Sequence, residues 1–547
     1  MRTALLSLLL LAFLLVLAFT LTGCNKALIS GQNAFRAGRV ADAHAIFESY
    51  ARGEGKKRKN RVIALLELGA TQQALGDFES SNHSFAQAEA EIDRFDRHPE
   101  VSLSTEMRAL LVNLNELPYR GWDSDRIMAA SLRAMNFLFL HNPNAARASF
   151  NRAYRHQKEA VGKNTKQLDQ AYEASDQYAA EQGVSPWKNR SRSSRAMDDP
   201  QFSSQFNQRY DYLNKYEAYA DYANPFAELL QGLYFLYFPA DFGDAERARK
   251  NLERAAGMAP HNAAVVDDLN AAHDAANGTP LPPTVHVFFA TGTSPRLDAF
   301  YLELPLFVVS RKVDYFAANF PTLVENNQYL TPCVIQAGTQ TATAEPLADI
   351  DAVVGKDFKN RLPMIVVKST LSAALKTTAA YAINESIRRN NTPQRSSSSQ
   401  HGHGNPYYNN HYSSSNRRHN TRTHSQTGDV GEELAVLFGR LLTMGYQAAT
   451  NQADRRIWSS LPKKIDYTRL PMPADGIVTF NVGQQQSAPL ELDPTCSHGV
   501  WVRSIGPTAP LIIQSFPFKS LPPDVIPSSA SSPTPSPAVP TPTEPSP

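Results

Sequence analysis

Apolar positions change their rhythm several times along the chain. From residue 4 to residue 20 they run almost unbroken. From residue 27 to about 277 they recur at three and four, the period of one helix face. Past Pro280, Pro282 and Pro283 a different text begins, in which β-branched and aromatic runs alternate with helical ones. Two tracts, about 390–429 and 519–547, hold too little apolar surface to offset the entropy of ordering them.

Within 27–277 the pattern repeats. Ala34 and Phe35 precede a turn at Gly38, with Ala43 and Phe47 after it; Leu75 precedes Gly76-Asp77-Phe78, with Ser81 and Phe85 after it. Gly38 to Gly76 and Phe47 to Phe85 both span 38 positions, a tetratricopeptide-like period of about 34 lengthened by an exposed turn at Lys56-Lys57-Arg58-Lys59. A third copy has Met135-Asn136-Phe137-Leu138, a turn at Asn142-Pro143-Asn144 and a helix through Phe150. In the fourth, Leu229, Leu230, Gly232 and Leu233 lead to a turn at Gly243-Asp244-Ala245, then Ala248, Leu252, Ala255 and Ala256 up to Pro260, with Asn262 opening another helix. Neither helix of a pair can bury its apolar stripe alone, so such hairpins stack. A polar stretch over 186–199 with Arg190, Arg192 and Arg195 interrupts the array as a loop.

In the C-terminal half, 284–290 reads as a buried strand, 300–309 as a strand with Pro305 at an edge or bulge, and 347–350 and 353–358 as short elements. A helix is expected after Pro363 through Ile387, and another over 430–451, where Leu434, Leu437, Phe438, Leu441, Leu442 and Tyr446 form one face. Its continuation carries Asp454, Arg455, Arg456 and Trp458. Alternation over 476–518 predicts a small antiparallel unit. The expected fold is therefore α+β: an N-terminal α-solenoid of tetratricopeptide-like hairpins, then a mixed α+β region. The segments are 1–23, a leader; 24–278, helical; 279–389 and 430–518, two parts of an α+β domain; 390–429, a low-complexity insertion; and 519–547, an extended Pro/Ser/Thr-rich tail.

Composition adds little steering. The formal charge is +2 over 547 residues, so no global field favours nucleic acid. The first apolar run, after Arg2, ends at Leu21-Thr22-Gly23-Cys24, which reads as a lipobox: small Gly23 precedes Cys24, the residue that cleavage would expose and lipids would modify. Several acyl chains would anchor the mature chain firmly. A plain membrane-spanning anchor containing a cysteine is the alternative. Asn25 in place of Asp favours the outer membrane, with the chain facing the periplasm. Of the three cysteines, Cys333 and Cys496 remain, either joined in a disulfide or lying apart in the core.

Over most of the mature chain the sequence resembles an uncharacterised family of Gram-negative envelope lipoproteins with tetratricopeptide-like N-terminal halves. The residues that carry the resemblance are Tyr119-Arg120-Gly121-Trp122, Arg126-Ile127-Met128, Met135-Asn136-Phe137-Leu138, Asn224-Pro225-Phe226-Ala227, Gly232-Leu233-Tyr234, Gly292-Thr293-Ser294-Pro295-Arg296, Ala453-Asp454-Arg455-Arg456-Ile457-Trp458 and Leu461-Pro462. The family's activity is unestablished. The resemblance implies architecture, a cell address and a cell-wall context, and no chemistry.

Candidate chemistry is sparse. Asp454, Arg455, Arg456 and Trp458 could bind a carboxylate or sugar, or could pair among themselves and close the core. Thr291-Gly292-Thr293 lacks the spacing of a phosphate loop. His401, His403, His411, His419 and His424 are irregularly spaced without a cysteine or carboxylate, so no metal site and no cofactor is expected. The expected function is that of a non-catalytic adaptor: protein partners on the solenoid's concave face, the membrane through the lipid on Cys24, and peptidoglycan or its synthases as wider context, without nucleic acid. The alternatives are direct glycan binding through Trp458, Trp501 and the arginines, and an enzyme whose site is assembled from distant residues.

Overall fold

The computed structural model describes residues 26–97, 117–160, 199–216, 223–303, 317–366 and 453–519, with positions 169, 173, 219, 368 and 369. Among them the helices are α1 (Lys26–Arg36), α2 (Val40–Arg52), α3 (Arg61–Ala74), α4 (Phe78–Arg97), α5 (Asp123–Phe139), α6 (Pro143–Ala160), α7 (Pro200–Tyr210), α8 (Pro225–Tyr237), α9 (Phe242–Met258), α10 (Ala263–Ala276) and α11, residues 350–366. The helices α1/α2, α3/α4, α5/α6 and α8/α9 form the four expected hairpins. Gly38 and Gly76 close the first helix of their pairs at φ 75° and 83°, a left-handed conformation that favours glycine. Gly31 and Gly69 sit where a Cβ would come within 2.5 Å of the Phe47 ring and 2.7 Å of the Phe85 ring, so the aromatic of each second helix seats against bare backbone of the first.

The later turns lie earlier than expected. In the third hairpin the reversal is at His141, with φ 54°, and Pro143 is already the first helical residue. Proline suits that position because its missing N–H is one the first turn leaves unbonded anyway. Asn142 caps the same turn through Oδ1, which accepts from the Ala145 N–H at 3.0 Å. In the fourth, Phe242–Met258 already includes Gly243-Asp244-Ala245 as its first turn, and the reversal falls just before it.

The strands are β1 (Thr284–Thr291), β2 (Arg296–Glu303), β3 (Ala317–Val324), β4 (Cys333–Ala337), β5 (Gln340–Thr343), β6 (Glu345–Asp349), β7 (Lys464–Pro471), β8 (Ile477–Val482), β9 (Gln485–Gln486), β10 (Leu490–Glu491), β11 (His498–Ser504) and β12 (Ile512–Pro517). A central sheet runs β12-β11-β1-β7-β6, with β1 and β11 parallel and the other pairs antiparallel. An outer sheet runs β10-β8-β4-β5, and β2 pairs with β3 alone. The expected unit over 476–518 is thus divided: β8 belongs to the outer sheet, while β11 and β12 belong to the central one. The strand expected at 300–309 begins earlier, at Arg296, and α11 runs through Pro363 instead of starting after it. The helix predicted over 430–451 lies outside the described residues.

Alternation along β1 explains the layers. Val285, Val287 and Phe289 face the outer sheet, in a core with Cys333, Ile335, Val478, Phe480, Val482, Val500 and Val502. Phe288 and Ala290 point the other way and join Ile465, Tyr467, Trp501 and Phe516 in the core of the helices. The first helix of the second, third and fourth hairpins is thereby covered twice, by its partner helix and by the chain's C-terminal half. Nearly every residue of α3, α5 and α8 is buried, whereas α2, α4, α6 and α9 bury a single stripe. Aromatic pairs bind the layers: Phe139 to Phe516 at 5.3 Å between ring centres, and Phe226 to Phe288 at 5.9 Å and to Trp501 at 5.7 Å. The β2–β3 hairpin packs on α7 through Phe206, 5.8 Å from Phe320, and Tyr210, 5.5 Å from Phe300.

Candidate functional site

Residues 453–463 are not helical; they run as irregular chain into the interior between the helices and the central sheet. Polar groups on the helices, on the turn after β1 and on irregular chain take up hydrogen bonds of this stretch. The fully buried Glu67 of α3 accepts from the Ser459 N–H at 3.0 Å and from Gln32 Nε2 at 2.8 Å, and Gln32 also donates to the Ile457 carbonyl at 3.0 Å. Burial raises the pKa of Glu67, opposed by the hydrogen bonds from Ser460, Ser459 and Gln32. Gln514 of β12 donates to the Gln73 carbonyl at 2.9 Å. The face that a solenoid would offer to a partner is therefore filled by this chain's own residues 453–463, β11 and β12.

The Asp454–Trp458 cluster sits at the mouth of this insertion. The side chain of Arg456 is 1% exposed and bonds Asp454 through both Nε (2.8 Å) and Nη2 (2.7 Å), the Lys59 carbonyl (2.6 Å), Asn60 Oδ1 (3.1 Å) and the Leu117 carbonyl (2.7 Å). Burial works against its charge, and the Asp454 carboxylate outweighs it, so its pKa rises. Trp458 is fully buried, its Nε1 donates to Ser460 Oγ at 2.9 Å, and its ring lies 5.7 Å from Phe85. Arg455 faces solvent, 3.8 Å from Asp298, and the Asp454 side chain is half-buried. Neither Arg456 nor Trp458 has a face left for a ligand. Trp501, offered with them for glycan, is 4% exposed and packed on Phe226.

The backbone of the Gly292–Pro295 turn is likewise spent: Gly292 N–H donates to the Ser504 carbonyl and Ser294 N–H to the Leu461 carbonyl, both at 2.8 Å. Cys333 and Cys496 are both free thiols. Cys333 is buried in the outer sheet, and Cys496 Sγ lies 3.4 Å from His498 Nε2. Cys24 and the His-rich tract lie outside the described residues. Among the described residues no group of His, Cys, Asp and Glu could hold a metal, and no helix is long and apolar enough to cross a membrane.

Sequence reading missed one polar network. His286 of β1, Tyr467 of β7, Asp268 of α10 and Tyr237 of α8 converge from four elements, which no local spacing could signal. His286 Nδ1 is 2.7 Å from Tyr467 OH, and Nε2 is 2.9 Å from Tyr237 OH. Tyr467 donates to Asp268, and Arg469 reaches Asp268 at 2.9 Å. Burial raises the Asp268 pKa to about 7 against the pull of Arg469. Burial and Arg469 together hold His286 well below its ordinary value. Asp268 and His286 are fully buried.

Neither of two cavities formed by described residues is lined by this network. One, of about 530 Å³, is a solvent-facing groove between α2, α3 and α4. Arg52, Lys56 and Arg61 stand at one end, Glu79 and Ser80 at the other, with Leu65 and Leu68 at its floor and His83 on its wall. The second, of about 20 Å³, lies between the helices and the central sheet and is lined by Phe35, Gln73, Ser460, Arg503 and Gln514 among others.

No protein-family model matches the chain, and no curated protein matches it. A solved tetratricopeptide repeat protein from Parabacteroides merdae is similar at 15% identity, over 46% of this chain and 98% of that one, with a TM-score of 0.13. The mixed α+β fold stands on the hairpins and sheets described above.

Proposed function

We propose that this chain is a non-catalytic adaptor tethered in a bacterial envelope by a lipid on Cys24, with the cell wall as its setting. One observation supports the adaptor reading: the groove of about 530 Å³ between α2, α3 and α4 opens to solvent on hairpins whose inner side is already occupied. The docking surface is moved from the concave face, where the helical repeat alone would put it, to the first two hairpins. Its volume falls within the range of about 300–1,000 Å³ typical of ligand sites. Its mixed rim of Arg52, Lys56, Arg61 and Glu79 over Leu65 and Leu68 suits a polar peptide segment of a protein partner. A direct glycan reading loses the residues it relied on, because Trp458 and Trp501 are buried. The buried His286 network is read as structural.

The test is photocrosslinking in living cells from positions 52, 79 and 83 in the groove, with exposed Phe242 on α9 as the control position. Discrete adducts from the groove and none from Phe242 are expected; equal labelling from both would overturn the docking surface. The tether is tested separately by metabolic labelling with a fatty acid. Label in the native chain that is lost in Cys24→Ala supports it, and label in neither overturns it.

A further inference from the structure

We infer that Arg503 and the cavity of about 20 Å³ beside it form a binding site for one halide ion, chloride under ordinary conditions, where the helices, residues 453–463 and the central sheet meet. The volume exceeds the roughly 10–15 Å³ needed for a single water, so a monatomic ion fits.

The charge asks for an anion. Arg503 is buried, and its polar neighbours are carbonyls: Nη1 donates to Ala290 at 3.2 Å and Ser504 at 3.1 Å, and Nη2 reaches Ser460 at a marginal 3.5 Å. Carbonyls solvate a guanidinium without neutralising it. Among the described residues no carboxylate pairs with it. A buried cation in that state is costly unless an opposite charge joins it. The Phe35 ring, 5.9 Å away, offers partial compensation only. Burial alone drives the Arg503 pKa down to about 9, in keeping with a charge that meets no acid. The buried carboxyl of α3, Glu67, is committed to Gln32 and Ser459, and the cation that acts on it is Arg36.

One lining group favours water instead. Gln514 Oε1 is buried with no hydrogen-bond partner, and a lone water would satisfy it while leaving the Arg503 charge uncompensated. Water only is therefore the competing outcome. Because α1, α3, α5, residues 460–462, β11 and β12 all line the cavity, a bound ion would staple the helical layer to the sheet.

The experiment melts the purified full chain in sodium chloride, sodium bromide and sodium gluconate at matched ionic strength. A saturable rise of about 3 °C in both halides over gluconate is expected. It should vanish in Arg503→Met and in Ala70→Leu, which fills the cavity from α3 and leaves the guanidinium in place. Crystals soaked in bromide should show an anomalous peak beside Arg503. Equal melting in gluconate, a halide response that survives in both variants, or a single water with no bromide peak would each overturn the site.

Discussion

Arg456 shows what one side chain does for the insertion of 453–463. It makes two bonds to Asp454 and bonds the Lys59 and Leu117 carbonyls, tying together stretches more than 300 positions apart in sequence. Arg456→Leu should cost about 1–3 kcal/mol, because it leaves the buried Lys59 and Leu117 carbonyls without their donor, while half-exposed Asp454 keeps the backbone N–H of residue 456. Arg456→Lys should recover little, since an ammonium cannot span the fork; urea denaturation of both variants checks this. Asp268 supplies a pH signature. Its pKa is about 7 in the fold against 3.8 ordinarily, so the folded state holds a proton that the unfolded chain has lost. Its contribution is complete below about pH 4 and disappears as pH rises through 7. His286, held neutral, acts with the opposite sign, its contribution being lost as pH falls below its ordinary value. The difference in unfolding free energy between native and Asp268→Asn chains should therefore slope by about 1.4 kcal/mol per pH unit between pH 4 and 7 and flatten above. A flat difference across that window would contradict the protonated Asp268.

Helices in this chain are set by what they pack against as much as by propensity. Gly69 and Gly257 are both helical, yet a Cβ at Gly69 meets the Phe85 ring at 2.7 Å while one at Gly257 meets nothing within 4 Å. Gly257→Ala should stabilise by about 0.5–1 kcal/mol through helix propensity. Gly69→Ala should instead destabilise by about 1–3 kcal/mol, because a packed ring has to move. Thermal melts of the two variants separate the effects by sign. The hairpins were legible because the glycine and aromatic recur at one spacing. The late turns fall earlier than the sequence predicts, because Pro143 and Gly243 look like turn residues and yet occupy the first turns of α6 and α9. The chain at 453–458 follows a helical pattern in the sequence, and tertiary partners such as Glu67 and Asn60 hold it irregular instead.

On the scale of the whole molecule, one hydrophobic cluster includes residues from Leu28 to Phe518, so the helical layer and the central sheet share a core. Residues 24–278 expressed alone would expose the inner sides of α3, α5 and α8. That fragment should associate or melt without cooperativity, and co-expression with 279–519 should restore a single sharp transition. Gel filtration and circular dichroism give the reading; a stable, monomeric helical fragment would show that the layers are independent. The Asp454–Trp458 cluster can be picked out in sequence, and one of its two readings, pairing among its own residues with Trp458 in the core, is what the structure holds; the partners of Arg456 at Lys59, Asn60 and Leu117 are too remote to be read. The His286 network was invisible for the same reason.

Local pattern alone determined the helical hairpins, the change to strands after Pro280 and β1 as a buried strand, because those are properties of residues a few positions apart. Only the tertiary structure decided that the hairpins' inner side is closed by the chain's own C-terminal strands, that β11 lies parallel to β1, and that Trp458 and Trp501 are core residues. Those outcomes depend on which surfaces meet across hundreds of residues. A local pattern can say that a face must be buried, and it carries no information about what buries it.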